Sequence, residues 1–134
     1  LCGEEPAPPA VRRLLVAGRP MAAWWATPVE VASALARLRR LGGLGPADEL
    51  LAREALAGYR RAWTEVQPTA RLRERAVRLL LAHDLRAADV LQLAAATIWA
   101  GEIAEGREFV CLDGRLAEAA RREGFRVLPG AAGA

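Results

Sequence analysis

The sequence predicts an α/β domain in which a parallel sheet is flanked by helices. Residues 85–101 read at helical period as apolar nearly all round. Val90, Leu91, Ala94, Ala95, Ile98 and Trp99 form one stripe, and Leu93 and Ala96 cover most of the rest. Such a helix belongs inside a domain rather than on it. Residues 21–26 form a short apolar run between breakers, which reads as a buried strand. Trp24 and Trp25 are adjacent and so point to opposite faces of that strand. A sheet that buries a Trp on each side is covered on both faces, as in α/β layers. Finally, residues 108–128 read as strand, amphipathic helix and strand, a βαβ unit with a parallel pair.

Taken in order, residues 1–9 hold three prolines, two glutamates and a glycine and read as a loop. A short helix is expected over 9–16, ended by Gly18-Arg19-Pro20. After the strand at 21–26, Thr27 is placed to cap a helix, with Pro28 at its first position and Glu30 completing a capping box. This helix runs to Arg40 with Val29, Ala32, Leu35 and Ala36 inward. A second helix starts after Gly45-Pro46 and reaches about residue 65, with Leu51, Ala55, Tyr59, Ala62 and Trp63 as its stripe. Val66-Gln67 reads as a short edge strand. Thr69 then caps a third helix carrying Leu72, Ala76, Leu79 and Leu80, which ends near His83-Asp84. Gly101 stops the central helix. Phe109 to Leu112 make a buried strand with Asp113 at its carboxyl end. Leu116, Ala119 and Ala120 face inward from the next helix, which Gly124 closes before a last strand at 125–128. The small-residue tail 130–134 is expected to fray.

At 134 residues the chain is read as a single domain spanning 1–134. Charged residues interrupt every apolar stretch before it could span a bilayer, and the opening lacks a signal-peptide pattern. Cys2 and Cys111 have no metal-ligand spacing, and Cys111 reads as a small core residue. A reducing cytoplasm is the expected setting. The net charge is only +3, yet all 19 basic residues are Arg. Without Lys, P-loop, Schiff-base, pyridoxal and receiver-type phosphotransfer chemistries fall away. With His83 the sole histidine, a His-rich zinc site falls away too.

What remains is carboxylate chemistry. Asp89 is the one charge inside the central helix and lies in its first turn, where the dipole favours an anion. In parallel α/β sheets, binding sites lie outside the carboxyl ends of the strands. Asp113 ends a strand there, and Glu30 follows a strand into the first turn of the next helix. Each acid has an ordinary alternative: Glu30 as a capping-box residue, Asp113 as turn and cap, Asp89 as a complement to the dipole. Converging, the three would repel one another unless they held a hard dication such as Mg²⁺ or Mn²⁺.

Thr-Pro-Val-Glu-Val-Ala-Ser-Ala-Leu from Thr27, Leu-Arg-Ala-Ala-Asp-Val-Leu-Gln-Leu-Ala-Ala-Ala from Leu85 and Phe-Val-Cys-Leu-Asp-Gly-Arg-Leu from Phe109 together resemble PIN domains. The nearest likeness is to the VapC-type toxins of toxin–antitoxin pairs. The resemblance covers almost the whole chain in order and ends on Gly-Phe-Arg-Val-Leu-Pro. It implies a PIN-like three-layer fold and a Mg²⁺-dependent endoribonuclease. It also implies a homodimer and a small antitoxin encoded beside it. Glu30, Asp89 and Asp113 match the family's second, third and fourth acidic residues, and Thr27 matches a hydroxyl position near the site.

The family's first acid, at the end of a central first strand, has no counterpart here. Glu4 and Glu5 lie in the loop beyond that point and do not match. The chain opens without Met, and a truncated leading segment that carries the first central strand is the expectation. In the expected mechanism the carboxylates hold one or two Mg²⁺ that activate water for in-line attack on single-stranded or looped RNA. Glu30 would orient or deprotonate that water, while Arg86 and Arg115 would pair with phosphates. Either arginine can equally be a solvated surface residue. The cluster Arg71, Arg73, Arg75 and Arg78 reads as a wet helix face. Two rivals are a catalytically inactive PIN-like module that binds RNA or a protein partner, and a carboxylate phosphatase or phosphotransferase, which the absence of Lys disfavours.

Overall fold

Four three-residue strands and five helices make up the computed structural model, which describes residues 20–129. The order is β1 (Ala22–Trp24), α1 (Thr27–Arg40), α2 (Pro46–Ala62), β2 (Thr64–Val66), α3 (Ala70–Ala82), α4 (Ala87–Trp99), β3 (Glu108–Val110), α5 (Gly114–Arg122) and β4 (Arg126–Leu128). The expected helix at 9–16 and the tail at 130–134 lie outside the described residues. The class is mixed α/β, as the sequence indicates. The strands, however, form two separate parallel pairs, β1–β2 and β3–β4, rather than one sheet. Ala22 pairs with Thr64 and Trp24 with Val66; Glu108 pairs with Arg126 and Val110 with Leu128.

α4 lies at the centre, packed against α3, β1 and α5. Its all-round apolar surface is the reason: Val90, Leu93, Ala94 and Ala95 are buried on different sides of the helix, as is Thr97. Thr97 can be buried because its hydroxyl donates to the Leu93 carbonyl at 2.9 Å. Trp99 departs from the expected stripe. It is largely exposed at the helix end, with the Arg107 guanidinium 5.8 Å from its ring centroid. Gly101 closes the helix with φ +67. The next residue, Glu102, also has a positive φ, and its carboxylate pairs with both Arg71 and Arg75 of α3.

α3 forms as expected. The Thr69 hydroxyl accepts from the Leu72 N–H at 3.1 Å, and Leu72, Ala76 and Leu79 are buried while Leu80 is not. α5 buries Leu116, Ala117, Ala119 and Ala120, its small residues letting it lie close to β4 and α4. Phe109 and Phe125 meet beneath it with ring centroids 5.7 Å apart. The link between α3 and α4 is fastened to both ends of α5. The imidazole Nε2 of His83 lies 2.7 Å from Glu123 at the helix end, and Asp84 lies 3.7 Å from Arg115 in the first turn.

Two expectations of burial fail. Trp25 follows the strand into a turn and is half exposed, so β1 does not bury a Trp on each face. α1 and α2 pack on each other as a hairpin and hold no buried residue; Val29 and Leu51 are 67% and 63% exposed. No helix among the described residues is long and apolar enough to cross a membrane.

Candidate acidic site

The starts of three helices supply the three carboxylates. After β1 the chain turns through Trp25, whose N–H still donates to the Val66 carbonyl, and Ala26 takes the cap position of α1 in a helical conformation. The N–H groups of Val29 and Glu30 both donate to the Ala26 carbonyl. Thr27 is therefore the first helical residue and not the cap. The capping box does not form either, because no side chain caps α1. Glu30 instead reaches across to α4, where its Oε2 accepts from the Gln92 side-chain amide at 2.5 Å.

Asp89 occupies the first turn of α4, two residues past the first helical position. The preceding Arg86 is the cap residue and is extended, and it offers no side-chain cap. Asp113 caps α5, its Oδ1 accepting from the Leu116 N–H at 2.9 Å. The cap reading of Asp113 thus holds beside any other role it has. β3 stops at Val110, so Asp113 stands past the strand in the connection to α5.

Electrostatics link the three. Burial pushes the Glu30 carboxyl above the ordinary carboxylate range. The Gln92 hydrogen bond opposes that shift, and the Asp89 charge adds to it. Burial likewise pushes Asp89 up, the Asp113 charge adds to it, and Arg86 opposes it. Asp89 is thus within electrostatic reach of both, acting on Glu30 and acted on by Asp113. Cys111, half-buried beside these acids, has its thiol pushed up by burial first and also by the charges of Asp113 and Asp89. The Cys111 thiol donates to the Asp113 carbonyl at 3.3 Å.

Of the residues expected to meet substrate, Thr27 shares the first turn of α1 with Glu30, and Arg86 acts directly on Asp89. Arg115 is turned toward Asp84, and both are largely exposed. Reading the sequence missed Gln92 and the proximity of Cys111 to the acids. The signal for Gln92 was available: it is the one amide on a helix of mostly apolar residues and lies about one turn after Asp89.

The donor set suits a hard dication in kind, since all three side chains offer carboxylate oxygens and two of them carry a penalty for ionising that a cation would relieve. Among the described residues, no group of three His, Cys, Asp or Glu side chains is close enough to hold a metal ion by itself. The acids share a field rather than a ready coordination sphere.

Fold and site together define a helix-rich α/β domain with an acidic rim built on helix starts. Compared with family models and with curated proteins, the chain matches none.

Proposed function

We propose that this chain is a PIN-like, Mg²⁺- or Mn²⁺-dependent endoribonuclease of the VapC toxin type. The reading is supported by the ordered motifs around Glu30, Asp89 and Asp113. One observation carries it: the Asp89 charge helps raise Glu30 and the Asp113 charge helps raise Asp89, although the three come from distant parts of the sequence.

In this reading Glu30, Asp89 and Asp113 would hold the cation, which would supply Lewis-acid activation of the phosphodiester and of the attacking water. The chain's own groups do the rest. Glu30 orients the attacking water or takes its proton at the carboxylate. Arg86 and Arg115 pair with phosphate oxygens of a single-stranded or looped RNA, Arg115 leaving its exposed contact with Asp84 to do so. The Thr27 hydroxyl is available as a further donor beside Glu30. The same proposal includes a PIN-like arrangement of the two strand pairs and a cytoplasmic setting. It also includes a homodimer and a small antitoxin partner, for which exposed Val77, Leu80 and Leu81 on α3 offer an apolar face.

The test is RNA cleavage by the full chain with Mg²⁺, with a chelator, and with Asp89→Asn. Cutting that needs the cation and is lost in the variant supports the reading; cutting that survives both ends it. That no three such side chains among the described residues could hold a metal ion favours a second reading, a PIN-like module that binds RNA or a protein partner without cutting. RNA retention without cleavage in the same assay identifies that case.

A further inference from the structure

α4 is the most buried helix of the fold, yet it ends on a tryptophan that water reaches. Trp99 is 45% exposed, although the next residue, Ala100, is buried. Leaving so large an apolar ring in water forgoes the stability that burial would bring. What the ring meets is a charge. The Arg107 guanidinium lies 5.8 Å from its centroid, and among the described residues no carboxylate pairs with that guanidinium. The turn between α4 and β3 keeps a surplus of positive charge. Arg71 and Arg75 share the single carboxylate of Glu102, and Glu105 lies against Gly124 at the end of α5. Ile103, in the same turn, is exposed as well.

We propose that Trp99 and Arg107 form a binding platform for one nucleotide of a single-stranded RNA, the indole stacking on the base and the guanidinium holding the adjoining phosphate. RNA as the ligand follows the reading above; cutting and a metal ion play no part. Every base has a π-face, so stacking on an exposed indole is tolerant of sequence. A guanidinium laid over the ring keeps its N–H groups at its edge, where phosphate oxygens accept from them. An exposed aromatic ring alone would serve a protein partner equally well. The unneutralised cation beside it favours a polyanion. Asp89 opens α4 and Trp99 closes it, about 15 Å apart along the helix axis. The platform therefore stands apart from the carboxylates, which repel a phosphate backbone.

The experiment measures binding of a labelled single-stranded oligouridylate to the full chain by fluorescence anisotropy, with a chelator present throughout. An abasic oligomer of equal length, which keeps the phosphates and lacks the bases, is the second probe. Trp99→Ala should weaken oligouridylate about tenfold and leave the abasic oligomer unchanged. Trp99→Leu keeps apolar bulk without the ring and should lose as much, while Trp99→Phe restores a ring and should recover most of it. Arg107→Gln should weaken both probes. It should also lower the slope of log affinity on log salt by about 0.7, the value for one phosphate on a single strand. Melting temperature and sedimentation are recorded for every variant. Oligouridylate affinity unchanged in Trp99→Ala and Trp99→Leu, or reduced equally for the abasic probe, overturns the platform. So does an unaltered chain that binds neither probe. Self-association through Trp99, with RNA affinity falling only as the assembly is lost, marks a protein contact and overturns it too. Metal-dependent cutting is read separately. Its absence overturns the nuclease and leaves a Trp99-dependent affinity standing; cutting with a Trp99-independent affinity does the reverse.

Discussion

The two crossover connections of this fold differ in almost every respect. Between β1 and β2 run two helices, α1 and α2, with no buried residue in either. Between β3 and β4 runs one short helix, α5, with four residues buried. A crossover needs only enough chain to return to the same edge, and α5 uses close to the minimum. The longer crossover spends its extra length on a hairpin that packs chiefly on itself. α3, α4 and α5 hold the core, and the starts of α4 and α5 also carry Asp89 and Asp113, while the poorly buried α1 contributes Glu30.

The largest effects should fall on the buried side of that division. Leu93 is fully buried on α4, so Leu93→Ala should cost about 2–5 kcal/mol of unfolding free energy in a denaturant titration. Leu51→Ala on the hairpin should stay within about 0.5 kcal/mol. Equal losses at the two sites would erase the contrast. Next, Asp89→Asn should cut RNA cleavage by about a hundredfold or more, on the order of 2.7 kcal/mol in the barrier, with little change in secondary structure. Smaller again is the difference between two threonines at helix starts. Thr69→Ala should cost about 1 kcal/mol because Thr69 caps α3. Thr27→Ala should cost much less, since Thr27 caps nothing.

The pH response gives the smallest and most diagnostic signal. Glu30 and Asp89 bind their protons more tightly folded than unfolded, because burial and neighbouring charge raise both above their ordinary values of 4.5 and 3.8. Their contribution to stability is therefore full below those ordinary values. It is lost as pH rises through the higher folded ones. The metal-free protein should melt at a lower temperature as pH rises from about 4 to 7, and Asp89→Asn should flatten that slope. A slope that is unchanged in the variant would show that Asp89 does not feel the other acids.

Much of this was legible in the sequence. The Thr69 cap, the buried face of α3, the all-round apolar α4 and the Gly124-closed βαβ unit each follow from local chemistry that the fold does not override. Trp25, Val29 and Leu51 were misjudged for one reason: periodicity shows that an apolar face exists and not what covers it. The capping box failed because Ala26 adopts a helical conformation and moves the cap one residue earlier. Glu30 was then free to find a partner 62 positions away, a contact that no local pattern encodes. The acids themselves were found because helix starts are readable, whereas the gap between the two strand pairs depends on long-range pairing.

The fastening of the α3–α4 link to α5 bears on how the acids keep their spacing. His83 and Asp84 are consecutive, yet one grips the end of α5 and the other its beginning. The outer grip, Asp84 with Arg115, is fully wetted and holds little. The inner one, with the imidazole almost shut off from water, is the sturdier. α5 is thus strapped lengthwise across the short segment from which α4 departs. The helix that opens with Asp113 and the helix that opens with Asp89 thus share one mooring. Of the three acids, two stand on helices joined through this link, and Glu30 reaches them from α1 by its hydrogen bond to Gln92.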